Sequence, residues 1–266
     1  MIRHVYSQDG TAIAYEKRGS GHPLILVDGA LCDRSSGPNG PLAALLQAYY
    51  TVYTYDRRGR GDSGNAHSYA IEREIEDLSA LIDEAGGTAY VYGISSGAAL
   101  ALEAANRLHS IEKLALYEAP YVVDSSRAPV PEDYAAQIQA QLIANRRGGA
   151  VKIFMHKGVG LPRFVVGMMT LMPAWSKLKA MAHTLPYDTL LTAEYQRGKM
   201  FPAHQWSNAT QQVLVAVGGK SPVWMRNAMQ ALADTLPDAS MRTVEGQTHI
   251  VKPEALVPVL REYYGN

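Results

Sequence analysis

Short runs of apolar, β-branched and aromatic residues recur along the chain and predict eight β-strands. Residues 23–27 are continuously apolar, as expected of a strand that is buried on both faces of a sheet. The first two runs flank Asp9-Gly10, a pair that favours the tight turn of a hairpin. The predicted strands are residues 2–6, 11–16, 23–27, 51–55, 88–92, 113–117, 213–217 and 241–244.

Helical periodicity appears between the later strands. Within residues 71–85, apolar side chains recur every three or four positions, which predicts an amphipathic helix that ends at Gly86-Gly87. Residues 98–108 are rich in alanine and apolar on nearly every face, as in a helix buried against a sheet. Helices that alternate with strands at this spacing predict crossover connections and a mainly parallel sheet.

Two further helices are predicted late in the chain from their proline residues. Ser221-Pro222 provides an N-cap residue and a first-turn proline for a helix that reaches about Thr235. Pro253 begins the last helix, and Pro258 lies inside it. Because a proline within a helix removes a backbone hydrogen bond, we expect a kink at Pro258.

The alternation of strands and helices is interrupted after the sixth predicted strand. Residues 121–206 look helical and contain no strand-like run. The sequence therefore predicts a single α/β domain, with a mostly parallel eight-stranded sheet flanked by helices. Residues 1–120 and 207–266 form this core, and residues 121–206 form a helical cap inserted after the sixth strand.

Composition and charge narrow the range of partners. The 266 residues carry 25 Lys and Arg against 25 Asp and Glu, so no net basic charge favours nucleic acid or an anionic membrane. The single Cys32 excludes an internal disulfide. No signal peptide or spanning stretch is evident, since proline and arginine interrupt the apolar residues 161–175. We expect a cytoplasmic monomer or homodimer with a small-molecule partner and no metal or cofactor.

The segment Gly93-Ile-Ser95-Ser-Gly97 lies between a predicted strand and a predicted buried helix. In this context Gly-x-Ser-x-Gly is typical of a sharp turn whose small flanking residues let the chain expose a serine hydroxyl. Ser95 is therefore the predicted nucleophile. The alternative interpretation is a glycine-rich loop that only permits close packing.

A serine nucleophile needs a base, and the base needs a carboxylate that orients it. His249 follows the last predicted strand, where the base is expected in the chain order nucleophile, acid, histidine. No carboxylate follows the strand at 213–217, so we predict that Glu118, at the end of the neighbouring strand, orients His249, with Asp124 in reserve. His156, His183 and His204 lie in the predicted cap and are expected to be ordinary polar residues, with contact to substrate as the alternative. The histidines at element ends are expected to be solvent-exposed: His4, His22, His67 and His109.

Acyl transfer also needs N–H donors for the developing oxyanion. The N–H of Ser96 is one predicted donor because this residue follows the nucleophile, and either Gly29 or Ala30 provides the other. Residues 59–64 match the dinucleotide pattern Gly-x-Gly-x-x-Gly, but no helix is predicted to open at the third glycine. We interpret this segment as a glycine-rich turn.

Methionine and aromatic side chains are frequent in the predicted cap and indicate an apolar pocket for an acyl chain or ring. Part of this set is expected to pack the cap itself. The predicted substrate contacts are Leu31, Met155, Met168, Met172 and Trp175.

Together these motifs resemble the α/β-hydrolase superfamily over essentially the whole chain. Asp28-Gly29 stands where the family usually has His-Gly, and residues 55–63, the elbow at 93–97 and residues 246–249 fit its pattern. The acid at Glu118 is similar to that of the fungal zearalenone-type lactonases, in which a glutamate after the sixth strand completes the triad. The resemblance implies cleavage of a small apolar ester or lactone through an acyl-enzyme at Ser95.

Two other functions fit the same sequence. The absence of an acid after the seventh strand also fits a non-hydrolytic receptor or a cyclase of this fold. A cofactor-free peroxidase or a carbon–carbon hydrolase would use the same three residues on a different substrate.

Overall fold

The structure is a computed structural model that describes residues 1–66 and 68–265, so the prediction for His67 lies outside the described residues. Its centre is one eight-stranded sheet. The strands are β1 (Arg3–Tyr6), β2 (Ala12–Arg18), β3 (Pro23–Val27), β4 (Thr51–Tyr55), β5 (Ala89–Ile94), β6 (Ile111–Tyr117), β7 (Gln212–Gly218) and β8 (Ala239–Val244).

The sheet has the order β1-β2-β4-β3-β5-β6-β7-β8. β1 and β2 form an antiparallel hairpin, and Gly10 in its turn has a φ of +80° that suits glycine. β2 is also antiparallel to β4, whereas every later neighbour pairs in parallel. The predicted strands and their mostly parallel arrangement are confirmed.

Helices cover both faces of the sheet. The helices of the core are α1 (Asn39–Leu46), α2 (Ile71–Glu84), α3 (Ser96–Ala105), α9 (Val223–Thr235) and α10 (Pro253–Tyr264). One apolar cluster joins α2, α3 and α9 to one face of the sheet, and a second joins α1 and α10 to the other. Burial of each large apolar side chain contributes about 1.5–3 kcal/mol, so the two clusters together stabilise the sheet.

The two late helices, α9 and α10, both have a proline at their start. α9 begins at Val223 and is preceded by Pro222, so Ser221 is not its N-cap residue as predicted. The Ser221 hydroxyl has a different partner, described below. α10 begins at Pro253 and continues through Pro258, where the kink stays a prediction.

The chain between β6 and β7 is helical. It contains α4 (Tyr134–Ile143), α5 (Arg147–Ile153), a π-helical turn (Phe154–Gly158), α6 (Arg163–Met169), α7 (Trp175–Met181), α8 (Leu185–Thr192) and 3₁₀ turns at Ala182–Thr184 and Ala193–Gln196. A third apolar cluster lies within this insertion and includes Leu31 of the core. Among residues 1–66 and 68–265, no helix is both long and apolar enough to cross a membrane.

Candidate active site

Ser95 lies at the sharp turn between β5 and α3. Its φ of +58° and ψ of −129° fall in a region that costs a non-glycine residue backbone strain. A Cβ atom at Gly93 would come within 2.5 Å of the Gly97 carbonyl oxygen, and one at Gly97 would collide with the carbonyl oxygen of Val27. Only glycine therefore fits at either position, which explains the two glycines of the Gly-x-Ser-x-Gly motif.

His249 and Glu118 form a hydrogen-bonded pair. Nδ1 of His249 lies 2.8 Å from Oε2 of Glu118. The Glu118 side chain is fully buried, whereas 42% of the His249 side chain is exposed. When Nδ1–H donates to the carboxylate, Nε2 is the basic nitrogen and is available for proton transfer.

The Glu118 carboxylate is fixed from two sides. Its Oε1 accepts a hydrogen bond of 2.8 Å from the Gly218 N–H and another from the Ser221 hydroxyl. Oε2 is thereby left to His249. The Ser221 hydroxyl therefore bonds the Glu118 carboxylate and does not cap α9. For this reason its predicted capping role is wrong.

The loop that carries His249 is also held in place. The Tyr117 hydroxyl donates a 2.7 Å hydrogen bond to the Thr248 carbonyl oxygen, directly before His249. A Cβ atom at Gly218 would come within 2.5 Å of the Gln247 carbonyl oxygen, so a glycine is required for the close approach of this loop. The ends of β6 and β7 therefore set the position of the imidazole.

Asp124, the reserve acid, is placed elsewhere. Its carboxylate accepts hydrogen bonds from Ser126 and from Asn227 Nδ2, the latter at 2.6 Å. The bonds from Ser126 lower the pKa of Asp124. The structure brings Glu118, and not Asp124, to His249.

The predicted oxyanion donors lie around the nucleophile. Ser96 begins α3, where the first N–H groups of a helix have no partner within the helix. A Cβ atom at Gly29 would lie 3.0 Å from the Ser95 Cβ, so Gly29 closely contacts the nucleophile. Arg60 Nη1 donates to the Gly29 carbonyl oxygen at 2.6 Å and fixes the peptide whose N–H belongs to Ala30. Gly29 and Ala30 both stay predicted donors.

Ser95, Glu118 and His249 line one cavity of about 170 Å³. The cavity lies between the sheet edge and the helical insertion. Its other lining residues are Ser96, Pro120, Arg127, Tyr134, Phe154, Gly158, Val159, Asp188, Thr192, Gln196, Pro222, Trp224 and Met225.

The five predicted substrate contacts do not line this cavity. Leu31 and Trp175 are buried in the apolar cluster of the insertion, and Met155 packs against the same cluster. Met168 and Met172 are 65% and 55% exposed. Their contact with substrate stays a prediction, because apolar composition does not distinguish a pocket wall from the packing of the cap or from its outer surface.

A network of buried charges, not predicted from the sequence, lies beside the nucleophile. Asp188 on α8 accepts hydrogen bonds from the Ser96 hydroxyl at 2.7 Å, from Arg57 Nη1 at 2.9 Å and from Arg60 Nη2 at 2.8 Å. Burial disfavours the charge of Asp188, but Arg60 and Arg57 outweigh it and keep the pKa of this carboxyl below its ordinary value. Glu74 pairs with the other side of Arg57. No local motif marks Asp188, because its partners are distant in the sequence.

The glycine-rich segment at 59–64 belongs to this network. A Cβ atom at Gly61 would collide with the Asp56 carboxylate, and α2 begins only at Ile71. Arg57 and Arg60, on the same turn, form the buried ion pairs described above. The segment is a structural brace and lacks the helix that a dinucleotide phosphate site needs. Within the described ranges, no group of three metal-binding side chains is present.

The fold and the arrangement of this site define a class of protein. A model of the alpha/beta hydrolase family matches residues 20–259, and the chain belongs to this family. An alpha/beta hydrolase from Sphaerobacter thermophilus DSM 20745 is 49% identical, with a TM-score of 0.91 over 99% of this chain and 100% of that chain.

Two more distant proteins resemble the same chain. The uncharacterized hydrolase YraK of Bacillus subtilis (strain 168) is 28% identical over 194 residues, which are 69% of this chain and 70% of that protein. A thermophilic esterase from Thermogutta terrifontis shares the fold at 20% identity, with a TM-score of 0.68 over 99% of this chain and 98% of that chain.

Proposed function

We propose that the protein is a serine hydrolase that cleaves a small carboxylic ester or lactone through an acyl-enzyme at Ser95. The observation that carries this proposal is the 2.8 Å hydrogen bond between His249 and the buried Glu118, in a cavity that Ser95 also lines. Membership in the hydrolase family supports a hydrolytic reaction. The similarity to an esterase of the same fold is compatible with an ester substrate.

The reaction begins with attack of the Ser95 hydroxyl oxygen on the substrate carbonyl carbon. His249 Nε2 accepts the hydroxyl proton as the new carbon–oxygen bond forms. The imidazolium then protonates the alcohol oxygen as the ester bond breaks, which leaves the acyl group on Ser95. Water attacks this acyl-enzyme after losing a proton to His249, and the carboxylic acid product departs as Ser95 recovers its proton.

Glu118 stabilises the positive charge that His249 carries in both steps. Its side chain is fully buried, and its Oε1 already accepts hydrogen bonds from Gly218 and Ser221. A carboxylate held in this way needs little reorganisation when the imidazole becomes charged. The N–H of Ser96, together with that of Gly29 or Ala30, would bind the oxyanion, and loss of one such donor costs about 3–4 kcal/mol.

The size of the cavity favours a small substrate. Its volume of about 170 Å³ lies below the range of about 300–1,000 Å³ that is usual for drug-sized ligands. Apolar side chains form much of the wall, among them Phe154, Val159, Trp224 and Met225. A short acyl chain or a small lactone ring fits these dimensions better than a macrocycle.

A hydrolysis screen tests the proposal. Release of acid from short alkyl esters and small lactones would be followed by titration at constant pH, with wild-type protein, Ser95→Ala and Ser125→Ala. Ser125 is an exposed serine of the cap and serves as a matched control. We expect hydrolysis by the wild type and by Ser125→Ala, and a loss of at least about 10³-fold in Ser95→Ala.

The contrary results are equally specific. If Ser95→Ala retains the wild-type rate, the nucleophile is another group and the mechanism is wrong. If no ester or lactone is hydrolysed although the protein binds them, the non-hydrolytic receptor is the better interpretation.

A further inference from the structure

Arg127 introduces a guanidinium group into the wall of the proposed substrate cavity. Its Nη2 donates hydrogen bonds of 3.0 Å and 2.7 Å to the carbonyl oxygens of Lys157 and Gly158. The centre of the guanidinium lies 4.5 Å from the centroid of the Trp224 ring, which is a cation–π contact. These contacts hold one nitrogen and one face of the group.

The backbone of Gly160 also lies close to the Arg127 guanidinium. A Cβ atom at Gly160 would lie 3.1 Å from Nη2 and 3.3 Å from Cζ of Arg127. Gly160 has a φ of +89°, a backbone conformation that favours glycine. The two backbone hydrogen bonds and the Trp224 ring therefore restrict the movement of the guanidinium.

The positive charge of Arg127 has no acidic partner in the part of the chain that the structure describes. Nη1 of Arg127 is buried and forms no hydrogen bond, and no carboxylate lies within ion-pair distance of Arg127 among residues 1–66 and 68–265. Burial lowers the pKa of Arg127, since loss of water disfavours the charged form. Arg127 is only partly buried, but its charge lacks an acidic partner within those ranges, so a bound anion would stabilise it.

The two acidic residues of the cavity cannot supply that anion. Glu118 is engaged by Gly218, Ser221 and His249, and Asp188 is engaged by Ser96, Arg57 and Arg60.

We propose that the Arg127 guanidinium binds a carboxylate carried by the substrate, so that the natural substrate is a small ester or lactone with one anionic end. This inference rests on the proposed function. Arginine N–H groups match the geometry of a carboxylate, and such charged hydrogen bonds are stronger than neutral ones.

The remaining wall agrees with such a substrate. Phe154, Val159 and Met225 are suited to the methylene groups that separate a carboxylate from the scissile carbonyl. The anionic end would lie at the Arg127 guanidinium, and the neutral end would reach Ser95. The substrate is then amphiphilic rather than uniformly apolar, which changes the class of molecule to be screened.

Calorimetric titration of Ser95→Ala protein tests the inference without requiring turnover. Each of two pairs of probes compares a carboxylate with a neutral group of similar shape. The carboxylate is on the acyl side of the ester in one pair and on the alcohol side in the other. Monoethyl succinate is compared with ethyl levulinate, in which a methyl ketone replaces the carboxylate. Acetoxyacetate is compared with acetoxyacetone in the same way. The titrations are repeated with two double variants, in which Ser95→Ala is combined with either Arg127→Met or Arg197→Met.

Arg197 is the matched control because its Nη1 also donates to backbone carbonyl oxygens of the cap, at 3.4 Å and 3.1 Å, and it is outside the residues that line the cavity. We expect at least one anionic probe to bind tenfold or more tightly than its neutral partner. Arg127→Met should abolish that ratio, and Arg197→Met should preserve it. Because the ratio compares two probes on one protein, a partial loss of folding does not change it.

A ratio below twofold in both pairs, which includes the absence of detectable binding, would overturn the inference. A ratio that persists in Arg127→Met would overturn it as well. If the predicted ratio is found but wild-type protein hydrolyses neither kind of ester, the anion site stands and the proposed hydrolysis fails.

Discussion

Glu118 combines two unusual properties at the scale of a single residue. It is a fully buried carboxylate, and its backbone has a φ of +50°, which is uncommon for a residue with a side chain. Ser221, Gly218 and His249 together use both carboxylate oxygens. Strain of this kind is tolerated where surrounding contacts over-determine the position, as they do here.

Replacement of Glu118 by glutamine tests its role in orienting the base. Glu118→Gln keeps the size of the side chain but removes the charge that stabilises the imidazolium, so kcat/KM for the best substrate should fall by about 10²- to 10⁴-fold. Steady-state kinetics provides the measurement. Asp124→Asn is the matched control, because Asp124 bonds Ser126 and Asn227 away from His249, and it should remain within about twofold of wild type. A large loss in Asp124→Asn alone would move the acid to that residue.

Asp28 is a second buried carboxyl, directly before Gly29. Burial raises its pKa to about 7 despite the nearby Arg60 and Arg57. Because the pKa in the fold exceeds the ordinary value of 3.8, the folded protein keeps a proton that the unfolded chain releases. The stability that this proton contributes is complete below about pH 4 and is lost as the pH rises through about 7.

Asp28→Asn should therefore flatten part of the pH dependence of stability. The variant is neutral at every pH, so its melting temperature relative to wild type should rise between pH 4 and pH 8, by at least about 3 °C. Thermal unfolding over this range provides the measurement. A constant difference between the two proteins across the range would show that Asp28 does not titrate there.

At the scale of the elements, the site is assembled from the ends of neighbouring strands. Ser95 follows β5, Glu118 follows β6 and His249 lies in the loop after β8. Sequence could predict these positions, because an apolar run followed by a polar residue marks where a buried strand reaches the edge of a parallel sheet.

Ser221 and Asp188 could not be predicted in the same way. Ser221 is also a favourable helix N-cap residue, and its bond to Glu118 spans 103 positions. Asp188 lies on α8 and bonds Ser96 across 92 positions, and nothing in its local sequence distinguishes it from an exposed helical acid. The helix α1 was also not predicted. It contains the Gly40-Pro41 pair, which is more typical of a turn.

Asp188 connects α8 to α3 through its hydrogen bond with Ser96. Asp188→Asn leaves Arg57 and Arg60 without their shared counter-charge in a buried site, so the free energy of unfolding should fall by about 3–5 kcal/mol. Chemical denaturation measures the change. Asp234→Asn is the control, since Asp234 is an exposed acid of α9 that bonds only Gln230 among the described residues, and it should lie within about 0.5 kcal/mol of wild type. Equal values for the two variants would mean that the buried network contributes no stability.

At the scale of the whole molecule, the core and the insertion differ in how far sequence predicts them. The sheet obeys a short list of packing and connection rules, so strand patterns determine its architecture. The insertion packs short helices over the sheet edge, and its methionine and aromatic residues are divided among its own core, the cavity and the outer surface. The sequence pattern alone does not predict which of these three places a given side chain occupies, because that depends on how the helices lie relative to one another.

The most direct test of the proposed site is covalent labelling with a fluorophosphonate, followed by mass spectrometry of the intact protein and its peptides. Fluorophosphonates react with serine hydroxyls that a neighbouring base activates, so the wild type should gain one phosphonyl group on Ser95. His249→Ala should react at least about 100-fold more slowly, and Ser176→Ala, a change at an exposed serine of α7, should react like the wild type. An adduct on another residue, or labelling of Ser95 that is equally fast without His249, would contradict the proposed site.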